Sequence, residues 1–236
     1  MARGRCTCSS LTPARPAALT AGIGIQPGRL ARFEAAESPQ EAGARMAGQA
    51  RVLLVSGSTR SGSANTAVLR TAQAVASEGL TTVLYEGLAD LPAFNPDDDH
   101  EPLPTVVADL RQQIRAADAA LFCTPEYAGT LPGSFKNLLD WTVGGGELYG
   151  KPVAWINAAA TGRGGGAVAS LKSVLGYVGA DIAESACIEL PVRRDTIGAD
   201  GLIGDPLTRE QIAGVCSAIQ VYLDRRPDRV GNPERS

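Results

Sequence analysis

The chain has 236 residues, of which 44% are hydrophobic and 20% are charged, and its formal net charge is -3. This length suits one domain with a buried core. The charge provides no cationic surface for nucleic acid, and no stretch reaches the roughly 18 uninterrupted apolar residues that a membrane span needs. We therefore expect a globular protein with no nucleic-acid partner and no membrane span.

The five cysteines indicate a reducing compartment, which we take to be the cytoplasm. Their odd number and low density argue against a disulfide framework, and Cys123, Cys187 and Cys216 lie among apolar residues. Cys6 and Cys8 form a C-x-C pair, but a metal site would need further ligands, and the chain has a single histidine. We expect no metal site.

The first 48 residues differ in composition from the rest of the chain. They are rich in Ala, Arg, Pro and Gly and show no sustained hydrophobic periodicity. We expect a disordered extension over residues 1–48, one domain over residues 49–225 and a flexible tail over residues 226–236. The absence of acidic residues before Glu34 also fits a transit peptide, but less closely than it fits a disordered extension. In either case we expect the functional chain to start near Met46.

Short apolar runs alternate with helical patterns through the domain. Strands are expected at Arg51–Ser56, Thr81–Tyr85, Ala119–Cys123, Pro152–Ala158 and within Ile182–Val192. Helices are expected before Gly79, from Pro104, from Pro132 or Gly133 to Trp141, through Val168–Val178 and over Thr208–Leu223. The alternation predicts an α/β fold of the flavodoxin-like class. This is a doubly wound, five-stranded parallel sheet in the order 2-1-3-4-5, with helices on both faces.

The loop Ser56–Thr66 follows the first strand, at the switch point where such sheets bind ligands. Its hydroxyl groups, one Arg and one Asn suit a phosphate at the start of a helix. It is not a Walker A loop, because Ser63 stands where Lys is required, and it lacks G-x-G-x-x-G. An ordinary polar turn with a Ser or Asn cap is the alternative. The candidate phosphate-binding residues are Ser58, Arg60, Ser63, Ala64, Asn65 and Thr66.

A second unusual segment, Thr124–Trp141, follows the third strand and should reach the same edge of the sheet. Tyr127 offers an aromatic face, and Gly129 allows a flat ligand to approach backbone N–H groups closely. A surface loop with no ligand is the alternative. Together the two segments suit a molecule with a phosphate at one end and a planar ring at the other, which is the shape of FMN. The candidate ring-binding residues are Pro125, Glu126, Tyr127, Ala128, Gly129 and Thr130.

The two segments resemble those of the NADPH-dependent FMN reductase family, which includes bacterial chromate and quinone reductases. The resemblance covers about Arg51–Val192, and it departs at Ala128, where the family often has Asn. The family's G-S-x-R-x-x-S-x-N loop is matched by Gly57, Ser58, Arg60, Ser63 and Asn65. Its P-E-Y-N-x-x-x-P-G-x-x-K-N-x-x-D-W segment is matched by Pro125, Glu126, Tyr127, Pro132, Gly133, Lys136, Asn137, Asp140 and Trp141.

The resemblance implies an FMN enzyme that takes hydride from NADPH or NADH at flavin N5. Two electrons would then pass, in a ping-pong cycle, to a small acceptor such as a quinone, chromate, an azo compound or a flavin. No protein side chain needs to be catalytic, because the cofactor carries the redox chemistry. Backbone N–H groups of Glu126–Ala128 and of the loop Ala159–Gly164 would stabilise the reduced ring.

The resemblance further implies a homodimer or homotetramer. Glu126 is either a salt-bridge partner of Arg60, in the same or a neighbouring subunit, or a solvated loop carboxylate. Two other functions stay open. One is an electron-transfer flavoprotein of the same fold without NAD(P)H oxidation of its own, and the other is a regulatory module that has lost its cofactor.

Overall fold

The computed structural model of the chain describes residues 49–226. The extension expected over residues 1–48 and all but the first residue of the expected tail lie outside the described residues. Within them, a parallel sheet has the order β2-β1-β3-β4-β5, and a sixth short strand also pairs with β4. The flavodoxin-like class and the strand order expected from the sequence are confirmed. The strands are β1 (Ala50–Ser56), β2 (Leu80–Tyr85), β3 (Ala119–Cys123), β4 (Pro152–Asn157), β5 (Asp181–Ile182) and β6 (Ile188–Glu189).

Five α-helices connect or follow the strands in the described part of the chain. The long final helix is capped by the Asp205 carboxylate, which accepts a hydrogen bond from the backbone N–H of Thr208. Its first residue is proline, which fits the first turn because its missing N–H has no intrahelical partner there. The helices are α1 (Ala64–Val75), α2 (Thr105–Ala116), α3 (Gly133–Asp140), α4 (Gly165–Tyr177) and α5 (Pro206–Asp224).

The core lies on both faces of the sheet, because the central strands are apolar on both sides. Along β1, Val52 and Leu54 pack in a cluster with residues of α1 and α5. Leu53 and Val55 face the opposite cluster, which contains residues of α2, α3 and α4. Alternate residues of a strand point to opposite faces, so a continuous apolar run is what a strand covered on both sides requires.

The fifth position of the sheet differs from the single strand expected within Ile182–Val192. Asp181–Ile182 and Ile188–Glu189 each pair with β4, and a 3-10 turn over Glu184–Ala186 separates them. Glu and Ala are poor strand formers, so the segment between the two strands leaves the sheet. The two short strands together fill the fifth position.

Buried ion pairs tie α2 to the loop after α3. The Arg111 side chain, 6% exposed, donates from Nε to the carbonyl of Trp141 and from Nη2 to Asp99. Glu147 has a fully buried side chain that lies beside Arg111 at 3.7 Å and pairs with Arg115 at 2.6 Å. A buried carboxylate is tolerated only when cations and donors surround it. In residues 49–226, no helix is long and apolar enough to cross a membrane.

Candidate functional site

The two segments singled out in the sequence meet at one edge of the sheet. Ser56 and Cys123, the last residues of β1 and β3, are partners in register, and Gly57 donates from N to the Cys123 carbonyl at 2.9 Å. A side chain at Gly57 would collide with the Thr124 hydroxyl, so glycine is required for this approach. The loops after β1 and β3 are therefore in direct contact at the switch point of the fold.

Ser63 occupies the N-cap position of α1 but does not cap the helix. Its side chain is buried, and it makes no hydrogen bond to the first turn. Ser63 therefore does not act as a helix cap, which was the alternative to a phosphate-binding role. The N–H groups of Ala64, Asn65 and Thr66 lie in that first turn, where backbone donors lack intrahelical partners. These donors and the Ser63 hydroxyl lie at the positive end of the helix dipole.

Arg60 is exposed at the tip of the same loop. It forms no ion pair with any residue between 49 and 226, and its backbone N–H donates to the Ser58 hydroxyl at 3.3 Å. The Thr66 hydroxyl lies 2.9 Å from that of Ser56. The loop thus combines an unpaired cation with an internal hydrogen-bond network that holds its shape.

Asn65 is oriented by a buried thiol that the sequence did not single out for this role. Cys123 Sγ, at the end of β3, donates to Asn65 Oδ1 at 3.3 Å. Burial raises the pKa of the Cys123 thiol, so it stays protonated and acts as a donor. With Oδ1 occupied, the amide group of Asn65 directs its N–H donors elsewhere.

The segment Pro125–Thr130 forms a tight turn at the carboxyl end of β3. Tyr127 and Thr130 exchange two backbone hydrogen bonds of 3.0 Å each, and Tyr127 is 53% exposed. Ala128 and Gly129 at the tip have φ angles of 49° and 76°. Asn adopts positive φ more readily than Ala, so Ala128 carries backbone strain where the family often has Asn.

Glu126 has a role that neither sequence hypothesis described. Within the chain it does not meet Arg60. Its Oε2 accepts hydrogen bonds from the N–H groups of Gly166 at 2.7 Å and Ala167 at 3.1 Å, in the first turn of α4. A carboxylate there satisfies donors that have no partner in the helix and complements the helix dipole. Glu126 therefore fixes the turn to the start of α4.

A third loop, between β4 and α4, completes the edge. The side chain of Asn157 donates to the Arg163 carbonyl at 3.0 Å and accepts from the N–H of Ala159 at 3.2 Å. A side chain at Gly166 would collide with the carbonyl of Gly129, so this loop lies directly against the turn after β3. Sequence reasoning missed Asn157, although a single amide ending the apolar run of β4 was a usable signal.

The polar residues of α3 and the tryptophan that follows it make structural contacts. Lys136 and Asp140 form an i,i+4 ion pair of 2.6 Å. Asn137 binds the segment Pro92–Phe94 through both ends of its amide. Trp141 is fully buried and packs edge-to-face against Phe94. His100, the single histidine of the chain, is exposed.

A pocket of about 420 Å³ opens beside the loop after β1. It is lined by residues of that loop, by the end of β2 and by the segment that follows it. None of the residues Pro125–Thr130 lines this pocket. It therefore lies on the β2 side of the loop, while the aromatic turn lies on the β3 side.

Comparison with known proteins decides the family. The model of the family described as NADPH-dependent FMN reductase matches residues 50–189, which include all three loops of the site.

The chain belongs to the NADPH-dependent FMN reductase family.

The similarity of this chain to other FMN and quinone reductases extends along nearly the whole length of those proteins. An NAD(P)H-dependent FMN reductase of Pseudomonas aeruginosa is 34% identical over 184 residues, which are 76% of this chain and 98% of that protein. A quinone reductase of Escherichia coli is 30% identical over 186 residues, or 76% of this chain and 98% of that protein. The solved structure of FerB, a flavoenzyme NAD(P)H:(acceptor) oxidoreductase from Paracoccus denitrificans, superimposes with a TM-score of 0.61 at 30% identity. That match covers 74% of this chain and 97% of FerB.

Membership in this FMN reductase family confirms the resemblance and the expectation of an oxidoreductase. The family's chemistry joins FMN with NAD(P)H, as the sequence predicted.

Proposed function

We propose that this FMN reductase family member binds FMN at the edge of the sheet where the loops after β1, β3 and β4 lie. It would use NADPH or NADH to reduce quinone-like, chromate, azo or flavin acceptors. The observation that carries the proposal is the junction at Gly57, where the phosphate-suited loop contacts Cys123 and Thr124, the residues that lead into the aromatic turn. A molecule with an anionic end and a planar ring needs both surfaces side by side.

The loop after β1 fits the phosphate end of FMN. The uncapped first turn of α1, the buried Ser63 hydroxyl and the exposed Arg60 supply neutral donors and one cation. Hydrogen bonds from charged donors to phosphate oxygens are about twice as strong as neutral ones. Ser58 and Asn65 complete the set of side chains from the same loop.

The turn after β3 fits the ring end. Tyr127 presents an exposed aromatic side chain, and the backbone at Ala128 and Gly129 is exposed at the tip. Glu126 and Pro125 hold the base of this turn, and Thr130 is fixed by a 2.7 Å contact between its hydroxyl and that of Ser170. The turn is therefore a rigid wall before any ligand arrives.

FMN, once bound, supplies the hydride and electron chemistry at its ring, with N5 as the reacting atom. The protein's part is to bind, orient and tune. The α1 dipole and Arg60 neutralise the phosphate, and the thiol of Cys123 fixes the Asn65 amide. Backbone donors of the turn and of the loop after β4 provide a polar edge for negative charge on the ring. No side chain of the site needs to act as a nucleophile or a general acid.

A spectrum of the purified protein followed by anaerobic titration with NADPH or NADH tests this function. We expect flavin absorption that bleaches with about one equivalent of reductant and returns on addition of a quinone. Steady-state rates with both substrates varied should give the parallel lines of a ping-pong cycle. Flavin that binds but is not bleached would instead favour an electron-transfer flavoprotein of the same fold, and protein that cannot be loaded with FMN would contradict the proposal.

We further propose a cytoplasmic homodimer or homotetramer. Two large side chains, Tyr149 at 80% and Tyr177 at 88%, are the most exposed apolar groups of the described residues and suit an interface between copies. Cys123, Cys187 and Cys216 are free, which supports a reducing compartment. Sedimentation equilibrium that returns a monomer would contradict the assembly.

A further inference from the structure

The 420 Å³ pocket beside the loop after β1 extends beyond the residues assigned to FMN. Sheet order places it on the β2 side of β1, whereas the aromatic turn follows β3 on the other side. Ser58, Arg60 and Ser63 line it, so it opens directly onto the loop assigned to the FMN phosphate. Its volume lies within the range of small-ligand pockets.

The walls of the pocket suit a nucleoside. Leu84, Leu88, Ala89 and Ile197 give it an apolar side on which a base can lie. Buried Tyr85 also lines it, and the Tyr85 hydroxyl has no hydrogen-bond partner within residues 49–226. Burial raises the pKa of Tyr85, so the hydroxyl remains a neutral donor. An orphaned buried hydroxyl is costly unless a ligand or water satisfies it.

Glu86 supplies a carboxylate that can accept hydrogen bonds from the hydroxyls of a ribose. It follows β2 directly, lines the pocket and has a side chain that is 78% exposed. In dinucleotide-binding α/β folds, an acidic residue about 20 residues beyond the phosphate loop accepts hydrogen bonds from the ribose hydroxyls. Glu86 has that place in the β1-α1-β2 unit, although the glycine fingerprint of those folds is absent.

The ion pair between Arg70 and Glu86 leaves the Glu86 carboxylate available to a ligand. Its Nη2 lies 4.0 Å from Glu86 Oε1, and both side chains are substantially exposed, so the ion pair contributes little. Arg70 lies two turns along α1 from Ser63 on the same face, toward the far end of the pocket. The guanidinium can therefore turn toward a ligand phosphate or base at small cost.

We propose that this pocket binds an adenosine diphosphate group whose ribose carries free 2′ and 3′ hydroxyls, with Glu86 as the ribose acceptor. Two molecules bring that group to the site: FAD, whose flavin phosphate continues into an adenylate, and NADH. A 2′-phosphate, as in NADPH, would meet the Glu86 carboxylate and is disfavoured there. The inference rests on the proposed function, because the pocket begins at the loop assigned to the flavin phosphate.

Calorimetric titration of the flavin-free protein with FAD and with FMN tests the first source. We expect Glu86→Gln and Ala89→Trp, which fills the pocket from an exposed position, to weaken FAD binding at least about tenfold while FMN affinity stays within about twofold. Glu78→Gln and Ala116→Trp make the same chemical changes at exposed positions outside the pocket and should change neither.

The FMN-loaded protein tests the second source. If the pocket serves NADH, the same two variants raise KM for NADH at least about tenfold, whereas Glu86→Gln does not raise KM for NADPH, because it removes the carboxylate that repels the 2′-phosphate. The proposal is overturned if neither FAD affinity nor KM for NADH responds. It is also overturned if Arg70→Ala raises KM for NADPH while Glu86→Gln has no effect, because the pocket then reads a 2′-phosphate. Failure of FMN itself to bind the wild-type protein would contradict the proposed function instead.

Discussion

The contact between Cys123 and Asn65 places a buried thiol beside the proposed cofactor site without giving it any chemistry. The thiol donates to Oδ1 and so leaves the Asn65 amide N–H groups for a ligand. The apolar surroundings of Cys123 predicted its burial, but the partner lies 58 residues away in the sequence. Only the parallel pairing of β1 and β3 brings the two together.

Removing this thiol should weaken FMN binding. We expect Cys123→Ala to cost about 1 kcal/mol of binding free energy, or roughly fivefold in Kd, because the Asn65 amide loses its fixed orientation. Fluorescence titration with FMN measures it. Cys216→Ala removes another buried free thiol, in α5, and should leave Kd unchanged. Equal Kd values for both variants would refute the role of Cys123.

Ala128 holds a backbone conformation that costs an L-residue energy, since its φ is 49°. Ala128→Gly should raise the free energy of unfolding by about 0.5–1 kcal/mol, because relief of left-handed strain exceeds the added entropy of glycine in the unfolded chain. Urea denaturation measures the change. Gly129→Ala, with φ of 76° in the wild type, should have the opposite sign. A less stable Ala128→Gly variant would contradict the strain.

At the scale of elements, the N-terminus of helix α4 is capped by a residue from the loop after β3. Glu126 accepts from two N–H groups of the first turn. Glu126→Ala should lower the free energy of unfolding by about 1–2 kcal/mol, since it removes both a cap and a charge at the helix N-terminus. Amide hydrogen exchange in the first turn of α4 should quicken. Glu78→Ala, an exposed control, should do neither, and a stability loss shared by both variants would argue against the cap.

Most elements could be predicted from local pattern because their physics is local. Ala119–Cys123 is a strand within the predicted bounds, and α3 begins at Gly133 as expected. The split of the fifth strand was missed, because β-branched residues on either side concealed the weak segment Glu184–Ala186. The cap by Glu126 was also missed, since it depends on α4 lying beside the turn after β3.

At the scale of the whole molecule, a buried charge network holds the loop after α3 to α2. Glu147 is fully buried; Arg115 pairs with its Oε1 at 2.6 Å, whereas its Oε2, which has no hydrogen-bond partner within residues 49–226, faces Arg111 at 3.7 Å. Arg111→Met should lower the free energy of unfolding by about 3–5 kcal/mol, because the largely buried Asp99 loses its cation and Glu147 keeps only Arg115. Urea denaturation measures the loss.

The double variant Arg111→Met with Glu147→Leu separates this cause from lost packing. Replacing both charges by apolar groups should recover a large part of the loss. If the double variant loses as much free energy of unfolding as the two single variants together, Arg111 and Glu147 are not coupled. Neither residue was identified from the sequence, because charges 36 positions apart give no local signal.

The meeting of the two candidate loops could be predicted from the sequence, because the fold puts the ends of β1 and β3 side by side. Ser63 and Arg60 were proposed from residue type and Tyr127 from its place after β3, and their contacts with FMN stay a prediction. The pocket on the β2 side, and the position of Glu86 in it, could not be predicted from the sequence. Both depend on how the segments after β2 and before α5 pack beside α1.

The most direct test is the FMN dissociation constant of the double variant Arg60→Ala with Ser63→Ala. The control is Arg225→Ala with Ser185→Ala, which removes the same groups from exposed positions elsewhere. We predict a Kd at least about a hundredfold higher than that of the control, because two phosphate contacts, one of them charged, are lost. Equal FMN affinity in the two double variants would contradict the placement of the phosphate and with it the account of the site.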